Sequence, residues 1–194
     1  MNDFAIPMTQ LCALGLKHDT DKSPYWRGCT GHPYTPFYSR VLSGRLIRRI
    51  LEIGVCTGAS LRMWEEYFPE AQIYGIDIVP EVIAETKFDT KRVELEECDA
   101  GNAKALQGFV RKRCHLFDLI IDDGSHLVKD QIAAANFLRA HLATEGIYVI
   151  EDVQEGTADE IADGLKMPCK VIEPKSSVAP PRSDDRLIVM WRSR

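Results

Sequence analysis

Asp123, His126, Glu151 and Asp152 are the side chains of this 194-residue chain whose types and spacing could do chemistry together. Asp123 and His126 stand in Asp122-Asp123-Gly124-Ser125-His126, directly after the apolar run Phe117–Ile121. Glu151 and Asp152 close a second apolar run, Gly146–Ile150. If both runs are strands and neighbours in one sheet, they lie about 4.8 Å apart and the three acids crowd one small volume. Carboxylates that close repel, so a proton or a cation must sit among them. Oxygen donors with no thiolate or second histidine nearby favour a hard divalent ion such as magnesium over zinc. His126, three residues after Asp123, is then within reach of a hydroxyl held at that ion, and an imidazole suits a general base near neutral pH. Asp122 and Asp130 read as capping or solvated loop acids. The other histidines, at 18, 32, 115 and 141, lack such company, and His115 and His141 fall at expected helix ends.

A second constellation lies upstream. The apolar run Ile50–Ile53 carries Glu52 and ends in Gly54-Val-Cys-Thr-Gly58, a helical pattern follows, and the run Ala71–Ile76 ends in Asp77. Strand, glycine turn, helix, strand, acid outlines a mononucleoside-binding βαβ unit, the acid placed to accept from two ribose hydroxyls. A pyrophosphate-binding turn wants glycine at the first, third and sixth positions. Here the third is Cys56 and the sixth Ala59. That argues against a nicotinamide dinucleotide and for a ligand without pyrophosphate. Asp99, after a third strand, is placed to reach the base of such a nucleoside or to cap its own turn.

These residues must be carried by alternating elements. The pattern predicts strands over about Arg49–Ile53, Gln72–Ile76, Val93–Glu96, Phe117–Ile121 and Gly146–Ile150. It predicts helices over about Ala59–Tyr67, Pro80–Thr86, Ala103–Lys112, Val128–His141 and Ala158–Gly164. Such alternation implies a parallel sheet covered by helices on both faces. The ending differs: two strand-like runs, Lys170–Glu173 and Arg186–Trp191, flank a stretch rich in Pro and Ser. Twelve residues are too few for a parallel crossover, so these strands should be antiparallel. Upstream, residues 1–16 and Phe37–Ser43 read as helices and residues 17–36 as turn-rich. The whole is read as one domain, with 1–45 a cap over a 46–194 core.

Composition agrees with one globular domain: 45% hydrophobic and 27% charged residues. A net charge of −5 argues against nucleic acid as the main partner. The cluster Arg111-Lys112-Arg113 reads as a solvated helix end. No apolar run approaches a membrane span and no signal peptide is evident, so a cytoplasmic protein is expected. Six cysteines without Cys-x-x-Cys spacing read as free thiols.

Glu52-x-Gly54-x-Cys56-x-Gly58 resembles the first motif of class I S-adenosylmethionine-dependent methyltransferases, usually written Glu/Asp-x-Gly-x-Gly-x-Gly. With Asp123-Gly-Ser-His126 and the pair Glu151-Asp152, the chain resembles the metal-dependent sugar O-methyltransferases of macrolide biosynthesis, the macrocin and mycinamicin type. It is also similar to the related cephalosporin hydroxylase-like group. Thr20-Asp21-Lys22, His32-Pro33-Tyr34, Tyr38, Leu61–Trp64 and Tyr67–Pro69 extend the resemblance, although Asp19 stands where the family pattern has glycine. The likeness spans roughly residues 18–153. It implies a Rossmann-like α/β fold, a mostly parallel seven-stranded sheet with an antiparallel last strand. It implies S-adenosylmethionine across Glu52, Gly54, Gly58, Asp77 and Asp99, and magnesium on Asp123, Glu151 and Asp152. It further implies His126 as base toward a hydroxyl of a sugar or small polyhydroxylated natural product. A hydroxylase-like or N-methylating relative, and a non-catalytic nucleoside-binding module, are the alternatives. The chain is expected to lack the long N-terminal domain of the macrolide enzymes, so their assembly and substrate contacts do not transfer, and a homo-oligomer is left open. Tyr25, Trp26, Tyr34 and Tyr38 could form a lid or pin a loop, Trp64 reads as core, and Pro174–Asp185 reads as a border of the substrate mouth.

Overall fold

The computed structural model describes residues 8–113 and 116–192. Its strands are β1 (Arg49–Ile53), β2 (Gln72–Asp77), β3 (Val93–Glu97), β4 (Phe117–Asp122), β5 (Leu142–Ile150), β6 (Cys169–Ile172) and β7 (Leu187–Trp191). They form one sheet in the order β3-β2-β1-β4-β5-β7-β6. All pairs from β3 to β5 are parallel, and β7 runs antiparallel to both β5 and β6. The mostly parallel seven-stranded sheet with an antiparallel last strand is therefore present. The reversal has the reason given by chain length: the β6–β7 connection has no room for a crossover helix.

The helices are α1 (Gln10–Lys17), α2 (Trp26–Cys29), α3 (Tyr34–Val41), α4 (Ala59–Tyr67), α5 (Pro80–Glu85), α6 (Ala103–Arg113), α7 (Val128–Leu138) and α8 (Ala158–Gly164). Successive strand residues point to opposite faces, and in the central strands both faces are apolar. Ile50, Leu119 and Val149 enter one core with Leu11, Tyr38 and Trp64. Leu51, Ile120 and Ile150 enter the other with Phe109, Leu138 and Ile188. Trp64 is fully buried, as core packing requires.

Three boundaries differ from the pattern. β5 begins at Leu142, because Leu142 pairs with Phe117 ahead of a register shift. The predicted 128–141 helix ends at Leu138 and tightens into a 3-10 turn, Arg139–His141. α3 starts at Tyr34, three residues early, and Pro36 is accommodated in its first turn, where helix N–H groups have no partner anyway. The basic helix end is not simply solvated. Lys112 and Arg113 both reach Glu96 at 2.7 Å, and the Arg113 guanidinium lies 4.3 Å over Phe109. Cys12, Cys29, Cys56, Cys98 and Cys169 are free; the expectations for Cys114, His115 and the first seven residues lie outside the described residues. No described helix is long and apolar enough to cross a membrane.

Candidate active site

The order of the sheet reverses between β1 and β4, the place where open α/β sheets bind ligands at the carboxyl ends of their strands. There the strand exits are tied side by side. Gly54 N–H donates to the Ile76 carbonyl, Asp123 N–H to Ile53, and Glu151 N–H to Asp122. A cavity of about 690 Å³ opens over these exits. Gly54, Asp77 and Asp99 line it on one side, and Asp123, His126 and Asp152 on the other. Glu52, Gly58 and Glu151 are not in its wall.

The glycine turn has a local cause. Gly54 has φ +91°, and a Cβ there would stand 2.0 Å from the Asp123 carbonyl oxygen. The residue must be glycine for β1 and β4 to leave the sheet side by side, before any ligand is considered. Asp77 stitches β2 to the same turn: Oδ2 accepts from Val55 N–H at 2.8 Å and Cys56 N–H at 3.3 Å, and Oδ1 accepts from Val79 N–H. Asp99 accepts from Gly101 N–H at 2.9 Å and so caps its own turn while facing the cavity. The two positions where the family pattern has glycine and this chain does not, Asp19 and Cys56, have φ of 58° and 48°. Both keep the left-handed backbone that glycine adopts without strain.

The acid cluster holds a partner that spacing did not reveal. Lys22 is 2% exposed, and its ammonium donates to Asp123 Oδ2 and Glu151 Oε2 and lies 3.5 Å from Glu52 Oε1. Burial works to lower the Lys22 pKa, but Asp123, Glu151 and Glu52 outweigh it and hold the ammonium well above its ordinary value. Burial pushes Glu151 well up and Glu52 up, with Lys22 acting against both. One positive charge shared among these carboxylates cannot hold each in its ordinary range. Tyr38, fully buried, donates to Glu151 Oε1. The Glu151 carboxylate is thus engaged by Lys22 and Tyr38.

Asp123, His126 and Asp152 each bring one ligand atom to within 4.8 Å of the others. Asp123 and Asp152 remain part-open, with side chains 25% and 18% exposed, and His126 Nδ1 is buried without a hydrogen-bond partner. Two carboxylates and an unpartnered ring nitrogen facing a cavity are a donor set that suits a divalent ion. His126 and Asp152 have φ of 55° and 52°, a conformation that costs a non-glycine residue free energy and recurs at functional sites. Tyr34 holds Asp152 in it: the hydroxyl donates to Asp152 Oδ1 at 2.7 Å and accepts from Asp152 N–H at 3.3 Å. Burial, then the charge of Asp123, raises the Asp152 pKa, with His32 and Tyr34 pulling the other way.

Tyr34 and Tyr38 are therefore buried braces, while Trp26 lines the cavity. Asp122 is a correction too. It is 3% exposed, accepts from Tyr148 O–H at 3.1 Å, and burial pushes its carboxyl up to about 7. Alternation along β4 turns Asp122 inward and leaves Asp123 at the edge. The 174–185 stretch returns to the site at its end, where Asp185 Oδ1 meets His32 Nδ1 at 2.8 Å. Lys22, His32, Tyr34, Tyr38 and Asp185 carried no assigned role in the sequence, although the Thr20–Lys22 and His32–Tyr34 motifs marked their neighbourhood.

Comparison with known proteins agrees with this geometry. Residues 48–183 match a family described as a methyltransferase domain. Mycinamicin VI 2''-O-methyltransferase of Micromonospora griseorubida is 38% identical over 134 residues, which cover 63% of this chain and 32% of that protein. L-olivosyl-oleandolide 3-O-methyltransferase of Streptomyces antibioticus is 35% identical over 150 residues, 72% of this chain and 36% of that protein. The solved structure of the MycE methyltransferase from the mycinamycin biosynthetic pathway, in complex with Mg, SAH and mycinamycin VI, matches with a TM-score of 0.67 at 26% identity. It covers 96% of this chain and 54% of that one. The chain spans about a third of the length of these two curated relatives.

Proposed function

The chain belongs to the methyltransferase-domain family, and from that premise we propose that it is a magnesium-dependent O-methyltransferase. Its methyl donor is S-adenosylmethionine, and its acceptor is a hydroxyl of a sugar or small polyhydroxylated natural product. The observation that carries the reading is the meeting of Asp123, His126 and Asp152 in the same cavity as the Gly54–Thr57 turn. Relatives named as sugar and macrolide O-methyltransferases, one solved with Mg and SAH, support it.

When bound, the sulfonium donor supplies an electrophilic methyl group and a hard divalent ion supplies Lewis acidity beside the acceptor hydroxyl. Asp123 and Asp152 would hold the ion. Glu151, the third acid of the spacing, adds its charge from behind while engaged by Lys22 and Tyr38. His126 takes the hydroxyl proton on its imidazole. Asp77 keeps the glycine turn in shape for the nucleoside, with Glu52 and Gly58 as its buried support and Asp99 beside it. Most of the rate gain is positioning of two reactants in one crevice. We place this activity in the cytoplasm, on a small-molecule acceptor and without nucleic acid.

The test is calorimetric titration with S-adenosylhomocysteine, with magnesium and again with excess EDTA, on the wild type and Asp123→Asn. Micromolar binding with a magnesium heat that Asp123→Asn abolishes supports the proposal, and acceptor products should then gain 14 mass units. Cofactor binding without any magnesium heat would leave Lys22 as the cation of the site and remove the metal. A gain of 16 would indicate the hydroxylase-like alternative. No cofactor binding under either condition refutes the reading.

A further inference from the structure

A second group of potential ligands stands on the other side of Asp152. His32, Asp152 and Asp184 each bring one ligand atom to within 4.8 Å of the others. His32 is 2% exposed. Its Nδ1 lies 2.8 Å from Asp185 Oδ1; a carboxylate accepts, so the imidazole donates from Nδ1. Nε2 is buried and has no hydrogen-bond partner among the described residues. It faces Asp152 Oδ1 at 3.6 Å. That is too long for a hydrogen bond. It is close to the separation of two adjacent ligands that each stand about 2.0–2.2 Å from a shared ion.

The surroundings have the organisation of a ligand site. A histidine that binds metal through one nitrogen commonly gives its other N–H to a carboxylate, which fixes tautomer and ring direction; Asp185 does this for His32. Tyr34 stacks on the ring, centroids 4.8 Å apart, and its hydroxyl donates to Asp152 Oδ1 and to the Asp184 carbonyl. Asp152, Asp184 and Asp185 gather negative charge about one imidazole, and Arg182 reaches Asp184 at 3.4 Å.

We propose that His32 Nε2, Asp152 and Asp184 form a second divalent-cation site. Its nitrogen ligand favours a borderline ion such as zinc or manganese over magnesium. Such an ion would tie the 182–185 segment to the N-terminal region and brace Asp152 from behind. The ligand set stands on its own geometry; only the sharing of Asp152 with a catalytic ion rests on the proposed function.

Manganese is the probe, titrated into the whole chain with S-adenosylhomocysteine present and counted by electron paramagnetic resonance. The expected result is two ions per chain, with spectra broadened by coupling through the shared carboxylate. His32→Gln should weaken the second ion by about tenfold or more and restore an uncoupled spectrum, while the first ion stays. Asp184→Asn, on a part-exposed loop residue, should do the same and covers the case in which His32→Gln does not fold. A single wild-type ion that Asp123→Asn removes overturns the second site and leaves the proposed function standing. A count that neither variant changes also overturns it, as does a His32 ring doubly protonated throughout the titration in nitrogen NMR. A single ion that His32→Gln removes and Asp123→Asn keeps supports the second site and removes the catalytic ion of the proposed function.

Discussion

Replacing Lys22 by methionine keeps most of the side chain's length and removes a buried positive charge that Asp123, Glu151 and Glu52 share. The pair with Glu151 is closed to solvent on both sides, 2% and 1% exposed, whereas Asp123 is a quarter open and Glu52 stands 3.5 Å away. The Glu151 pair therefore dominates, since solvent screens the Asp123 pair. Breaking a buried ion pair by removing one partner costs about 3–5 kcal/mol, because the other charge is left without compensation. For a chain of this size that corresponds to a fall in Tm of about 6–20 °C. Urea unfolding followed by circular dichroism, near neutral pH and in EDTA, reads the loss without interference from metal. The double variant Lys22→Met/Glu151→Gln removes both charges and should be more stable than Lys22→Met alone, a coupling of about 2 kcal/mol. A loss below about 1 kcal/mol, or strict additivity in the double variant, would refute the assignment of Lys22 as the counter-charge of the cluster.

Four further outcomes follow from the same geometry. Cys56→Gly should raise stability by about 1 kcal/mol in urea titration, because Cys56 holds φ +48° at a cost that glycine avoids; a destabilised variant would show that the thiol packs usefully. Gly54→Ala should lower stability by about 3 kcal/mol or more, since its Cβ meets the Asp123 carbonyl and its φ is +91°. A near-neutral effect would mean that the β4 exit moves freely. Tyr34→Phe should weaken magnesium binding about tenfold and leave S-adenosylhomocysteine affinity unchanged, as only the clamp on Asp152 is lost; parallel losses in both titrations would count against a role specific to Asp152. Iodoacetamide near neutral pH should modify exposed Cys56 first and Cys98 last, because burial pushes the Cys98 thiol up to about 11. Mass spectrometry of partly alkylated protein gives the order, and S-adenosylhomocysteine should protect Cys56, which lines the cavity.

The alternation of strands and helices was legible in the residues, and so were most of their limits. β1 and α4 coincide with the apolar run and the helical period that marked them. These signals are local. Strand pleat, helix period and the backbone needs of a turn are set within a few residues of chain, and both core faces follow from them. The acids at the strand exits were legible for the same reason, because each directly follows an apolar run. Partners were not. Lys22 meets Asp123 across 101 residues and Glu151 across 129, and His32 meets Asp185 across 153. Spacing along the chain carries no information about such pairs. They form because the topology lays the N-terminal segment and the 182–185 segment against the same sheet edge, where burial obliges every charge to find a counterpart. Gly54 shows the division within one residue. The sequence alone determined that a sharp turn follows β1, and only the tertiary structure decided that its glycine makes room for the backbone leaving β4.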